Sequence, residues 1–178
     1  MARLLPHKRI DVAIAAANDL RVGLDVIGEG PALRRLRRLA GPTIRFHGRA
    51  DDATVRAAMA RCTALLVPGI EDFGMTTAEV QAAGRPPIAF EDGGATEIVR
   101  DGVTGFFVSE QTPAAFAAVM RRALDEPLDP AELAASARRF DAGLFDRAIR
   151  EVVARAGGAS GEEPEDAEPA ALTRVVAA

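Results

Sequence analysis

The feature that most constrains this chain is its alternation of short apolar runs with helical stretches, punctuated by Gly and Pro. Arg21 to Ile27, Thr43 to His47, Ala64 to Pro68, Pro86 to Phe90 and Gly105 to Val108 read as strands. Between them, 10–19, 32–40, 53–61, 74–83 and 95–100 read as helices, and 113–124, 130–139 and 143–156 follow as a helical end. Strands that alternate with helices build an α/β fold around a parallel sheet, because each crossover returns over one face. Asp51 or Asp52 is placed to cap the helix over 53–61.

At 178 residues the chain has room for one sizeable core. Its charge is uneven. Glu162, Glu163, Glu165, Asp166 and Glu168 against Arg174 account for the whole net charge of −4. The body is therefore neutral and has no broad basic field for nucleic acid. With eight Phe and neither Trp nor Tyr, a stacking platform for single strands is also disfavoured. Cys62 stands alone, which excludes an internal disulfide and a Cys-based zinc site. No apolar run approaches the ~20 residues that span a bilayer, and no signal peptide is evident, so a cytoplasmic location is expected. Residues 157–178, rich in Gly, Ala, Pro and Glu, are expected to form an acidic disordered tail behind a domain spanning 1–156.

Three loops carry side chains suited to chemistry, and ligands of open α/β sheets bind beyond the carboxyl ends of the strands. The first, Arg3 to Lys8, holds the only lysine among 22 basic residues. A compact ammonium suits a point contact with phosphate, and Arg3 adds a planar fork. The second runs from Glu71 through Phe73, Gly74, Met75 and Thr76 to Glu79. A helix start here offers free amides and a positive dipole end to an anion, with a carboxylate on either side to accept hydrogen bonds from hydroxyls. Phosphate between two polyols describes a sugar nucleotide. The third loop, Gly93-Gly94-Ala95-Thr96-Glu97, lets backbone approach a ligand closely. Taken singly, each also reads as a solvated loop or a common turn.

The order of these segments resembles the GT-B retaining glycosyltransferases grouped as family 4. The resemblance is carried by Arg3 to Asp11, Val26 to Pro31, Phe46-His47-Gly48, Pro68 to Glu79 with Ala82-Ala83-Gly84, Gly93 to Glu97 and Asp101 to Gly105. It implies a Rossmann-like doubly wound parallel sheet, one half of a GT-B fold, lacking its first central strand, with Met1-Ala2 where that strand would finish. It implies that Arg3 and Lys8 contact the donor diphosphate, that Glu71 holds the transferred sugar, and that Glu79 holds the ribose. These three, Glu71, Lys8 and Arg3, form the expected catalytic set. Phe73 and the amides of Gly74, Met75 and Thr76 would line the donor, with Gly93 and Gly94 beside it and Gly28 and Arg49 near the nucleoside.

No metal or cofactor is expected beyond the nucleotide-diphosphate sugar itself, since helix ends and basic side chains stabilise the departing diphosphate. Glu71-Asp72-Phe73-Gly74 with Gln81 to Pro86 looks most like members that use GDP-mannose. The resemblance also implies an acceptor-binding domain or subunit ahead of this region, so a fragment of a longer enzyme is expected. The alternatives are an inactive nucleotide-sugar-binding fragment and a related 2-epimerase. The Glu71 to Glu79 spacing and the Gly93-Gly94 loop favour transfer over epimerisation. Arg34-Arg35 and Arg37-Arg38 read first as the solvated side of a helix, with peripheral contact to an anionic membrane as the alternative. Leu144, Phe145, Ile149 and Val152 are expected to be partly exposed on the last helix.

Overall fold

The computed structural model describes residues 2–157. The tail expected beyond them lies outside the described residues, and Gly157 itself closes the last helix. The strands are β1 (Ala2–Arg3), β2 (Leu24–Glu29), β3 (Ile44–Gly48), β4 (Leu65–Val67), β5 (Pro87–Phe90) and β6 (Phe106–Val108). The helices are α1 (Ile10–Leu20), α2 (Leu33–Leu39), α3 (Asp52–Arg61), α4 (Met75–Ala82), α5 (Ala95–Ile98), α6 (Pro113–Asp125), α7 (Pro130–Ala137) and α8 (Ala142–Gly157). A 3-10 turn at Pro6–Lys8 joins β1 to α1. No helix among the described residues is long and apolar enough to cross a membrane.

The strands form two parallel three-stranded sheets, ordered β1-β2-β3 and β4-β5-β6. This is the expected α/β architecture, with its first strand reduced to two residues paired with Gly28 and Glu29. Helix α1 holds the two sheets side by side. Its Val12 and Ala16 pack with Ile88, Phe106, Val108 and Phe116 of the second sheet and α6. Ile14 and Ala17 pack with Leu4, Val26, Leu36 and Ile44 of the first sheet and α2. Four alanines in α1 (Ala13, Ala16, Ala17 buried; Ala15 half-buried) keep this helix slim enough to serve both.

Helix ends follow side-chain chemistry. The Asp51 carboxylate accepts from the Thr54 amide at 2.7 Å, and Thr112 Oγ1 accepts from Ala115 at 3.2 Å. Asp129 accepts from Ala131 at 2.8 Å, with Pro130 opening α7. Each such cap satisfies an amide that the helix leaves without an acceptor. Strand β2 starts three residues later than the apolar run predicts. The amides of Arg21 and Val22 still close α1 on Asn18 and Ala17, and Arg21 turns left-handed at φ 54°.

Asp101 fastens β6. Its carboxylate accepts from the Phe107 amide and from Arg122, both at 2.9 Å, and that guanidinium lies 5.0 Å over the Phe106 ring. Partial burial pushes the Asp101 carboxyl up, but the Phe107 amide and Arg122 outweigh it and hold the group below the usual carboxylate range. A depressed folded pKa means the stability it contributes is complete above the unfolded value near 4 and is lost as pH falls through the folded one. Asp101→Asn should therefore cost about 1 kcal/mol at pH 7, a value kept low by the carboxylate's exposure. The deficit should shrink as pH falls below the usual carboxylate range and wild-type Asp101 is protonated as well. Urea unfolding of both proteins across this range reads the effect directly.

The described residues fall into two compact units, one up to Arg138 and one from Arg139. In the second, Asp141 accepts from the Gly143 amide at 2.8 Å and starts α8. Along α8, Leu144, Phe145, Ile149 and Val152 are exposed, as the sequence led us to expect, and so is Val153.

Candidate functional site: convergence of three loops

Lys8 and Glu71, 63 residues apart in sequence, meet as an ion pair with Nζ to Oε2 at 2.6 Å. Local sequence explains both ends. Leu4 is fully buried, its amide donating to Glu29 O at 2.8 Å and its carbonyl accepting from Ala32 at 3.1 Å. That anchor fixes the start of the loop. Pro6 then opens the 3-10 turn, and Arg9 at φ 49° ends it with its amide on Pro6 O. Lys8 is thus held on a short rigid turn just past β1.

Glu71 follows β4. Its carbonyl accepts from the Gly94 amide at 2.7 Å, and Glu71 and Gly93 form a parallel bridge. A Cβ at Gly93 would stand 2.5 Å from Glu71 O, and one at Gly94 2.4 Å from Phe73 O. Side chains are excluded at both positions by this backbone contact. The three loops singled out from the sequence therefore converge: Lys8 on Glu71, and Glu71 on Gly93-Gly94.

Helix α4 begins at this junction. Gly74 is its N-cap, buried and left-handed at φ 87°. The amides of Met75 and Thr76 precede the first carbonyl they could reach inside the helix, so this end is open to an anion. Thr77, Ala78, Val80 and Gln81 face the core. Gln81 is tied down by its Nε2 donating to Thr104 O at 2.7 Å. Met75 and Glu79 lie exposed and Thr76 half-buried on the other side of the helix, and residues three and four apart share a face. Glu79 thus rises one turn beyond the open helix end.

The remaining expected residues lie on the neighbouring strands and loops. Arg3 is exposed at the end of β1, opposite Glu29. Phe73 is 53 % exposed. Gly28 is buried within β2, paired with Ala2, and Arg49 is exposed just past β3.

Two positioning residues were not read from the sequence. A Cβ at Gly69 would lie 2.7 Å from Lys8 Cα and 2.8 Å from His7 O, so only glycine lets the loop after β4 press against the loop after β1. Gln111 Nε2 donates to Pro68 O at 3.0 Å, while its Oε1 accepts from Arg9 at 3.3 Å, clamping the same two loops. Gly69 follows a strand-ending proline, which is a turn signal. Gln111 carries no local signal, because its partners lie 43 and 102 residues away.

The family model for glycosyl transferases group 1 matches residues 1–140. The chain belongs to that family. An uncharacterized glycosyltransferase of Methanocaldococcus jannaschii is 32 % identical over 114 residues, covering 61 % of this chain and 32 % of that protein. Glycogen synthase of Mycobacterium tuberculosis is 32 % identical over 158 residues, covering 82 % of this chain and 38 % of that enzyme. Among solved structures, Anabaena HepE in complex with UDP superposes with a TM-score of 0.74 at 25 % identity, over 87 % of this chain and 47 % of HepE. This glycosyltransferase-family chain spans about a third of the length of the two curated relatives and about half of HepE.

Proposed function

We propose that residues 1–156 bind a nucleoside-diphosphate hexose and act as the donor half of a retaining family 4 glycosyltransferase. The observation that carries this reading is the Lys8–Glu71 ion pair set beside the open end of α4. An anion arriving there meets a cation and unsatisfied amides, while Glu71 is poised for hydroxyls on one side and Glu79 on the other. The group 1 family match and the UDP held by HepE support a nucleotide sugar as the ligand.

In this reading Lys8, Arg3 and the amides of Gly74, Met75 and Thr76 hold the diphosphate. Glu71 accepts hydrogen bonds from the hexose, Glu79 from the ribose, and Phe73, Gly93 and Gly94 line the donor. Gly28 and Arg49 stand near the nucleoside. An acceptor hydroxyl attacks the anomeric carbon from the face the diphosphate leaves. The carbon–oxygen bond to the nucleotide breaks, and the departing phosphate oxygen takes the hydroxyl's proton. Stabilising the developing charge on that leaving group is where the protein accelerates the step. GDP-mannose is the donor suggested by the sequence resemblance. The acceptor site belongs to a separate domain or subunit, and a cytoplasmic protein touching an anionic membrane through Arg34, Arg35, Arg37 and Arg38 fits a lipid-linked acceptor.

The alternative reading is nucleotide-sugar binding without turnover. Calorimetric titration of GDP-mannose, UDP-glucose and ADP-glucose into the full chain tests the binding step common to both. One of the three should bind, and Glu79→Ala should weaken it about fivefold to thirtyfold, the loss of one or two hydrogen bonds to ribose. Binding of none, or equal affinity after Glu79→Ala, would overturn the assignment. Release of free nucleotide on adding acceptor separates the two readings.

A further inference from the structure

Glu29 closes β2 at its carboxyl end and is exposed. Its backbone is fixed: the carbonyl accepts from the Leu4 amide at 2.8 Å, and Arg3 lies opposite it in β1. Successive strand residues point to opposite faces, so Glu29 shares the face of Asp25 and turns away from that of Val26, which packs with Ile14 and Leu36 of α1 and α2. The two carboxylates on this face differ. Asp25 Oδ1 pairs with His47 Nε2 at 2.6 Å. The Glu29 carboxylate has no hydrogen bond or ion pair among the described residues. Its Oε1 lies against Gly48, 3.6 Å from where a Cβ would stand. Gly48 ends β3 left-handed at φ 66° and leads directly into Arg49, so no side chain covers the carboxylate from that position.

We propose that Glu29 reads the base of the bound nucleotide and selects guanine. The inference rests on the donor-binding reading, in which the nucleoside lies near Gly28 and Arg49. Gly28 precedes Glu29 in the chain, and Arg49 follows the glycine that its carboxylate touches. A carboxylate offers two acceptor oxygens and no donor. Guanine presents two N–H groups side by side, at N1 and at the 2-amino group, and they meet the two oxygens as a guanidinium fork would. Uracil offers one N–H flanked by two carbonyls, which set acceptor against acceptor. Adenine places its amino group beside a bare acceptor nitrogen. Either base leaves a carboxylate oxygen opposed by a lone pair, and a site built for a donor discriminates strongly against a ligand that lacks it. Glu29 is thus a specificity-determining residue and takes no part in breaking the sugar–phosphate bond.

The test is calorimetric titration of GDP, inosine diphosphate, UDP and ADP into the full chain, wild type and Glu29→Gln. Wild type should bind GDP about tenfold to a hundredfold more tightly than UDP or ADP. Inosine diphosphate, which keeps N1–H and lacks the 2-amino group, should fall between. In Glu29→Gln an amide N–H opposes a guanine N–H, so the GDP-to-UDP ratio should fall to within about threefold. The ratio cancels the general effect of removing a negative charge near a diphosphate. Equal affinity of wild type for GDP and UDP, or a ratio unchanged in Glu29→Gln, overturns the proposal and leaves the donor-binding reading standing. Equal weakening of all four ligands by Glu29→Gln also overturns it, because the carboxylate then holds the ribose they share. Binding of none overturns both.

Discussion

Lys8→Ala should weaken binding of the nucleoside diphosphate by about tenfold to a hundredfold, the range expected for one lost hydrogen bond to a charged group. Two effects add. The substitution removes the ammonium, and it leaves the Glu71 carboxylate, previously paired at 2.6 Å, facing an incoming dianion. Glu71→Gln gives a different signature. The side chain keeps its shape, loses its charge and releases Lys8, so affinity for the bare nucleoside diphosphate should hold or rise severalfold. What disappears is the extra affinity of the nucleotide sugar over the nucleotide. Both side chains are about a quarter exposed, so neither change should unfold the protein, and circular dichroism checks this. If Lys8→Ala leaves every nucleotide's affinity untouched, the diphosphate does not sit at this pair.

The largest expected loss of stability comes from Phe116→Ala. Phe116 on α6 is fully buried, packed in the cluster that joins α1 to β5 and β6. Removing a buried ring costs about 3–5 kcal/mol, the lost transfer energy plus a cavity that packed neighbours fill only in part. A domain of this size has roughly 5–15 kcal/mol in total. The variant should therefore melt at least 10 °C below wild type, or fail to accumulate folded. Leu124→Ala, on the same helix but 58 % exposed, is the matched control and should change little. A melting temperature for Phe116→Ala within 2 °C of wild type would mean that this cluster is not the core.

Most of the architecture could be read from the sequence because the alternation is regular and every helix after β3 begins at a recognisable residue. The capping aspartates, Thr112-Pro113 and Asp129-Pro130 announce themselves locally. Boundaries were less legible where a tertiary preference intervened, as at Arg21, whose left-handed turn extends α1's hydrogen bonding into the predicted strand. For the site, Lys8 stood out as the single lysine and Glu71 as the head of an acidic pair around a helix start. Their meeting depends on β1 and β4 ending at the same level, which is a property of the sheets rather than of either loop. Gln111 could not be found, because a side chain clamping Pro68 and Arg9 looks in sequence like any polar residue ahead of a helix.

The pinch at Gly69 is main chain lying on main chain. Such a contact has no side chain through which variation could adjust it, so it behaves as a fixed pivot. Shifts in ligand preference must then be made by the groups projecting outward around it. Ile70, Phe73 and Met75, each about half exposed beside the pivot, are where a library meant to change donor choice should be concentrated.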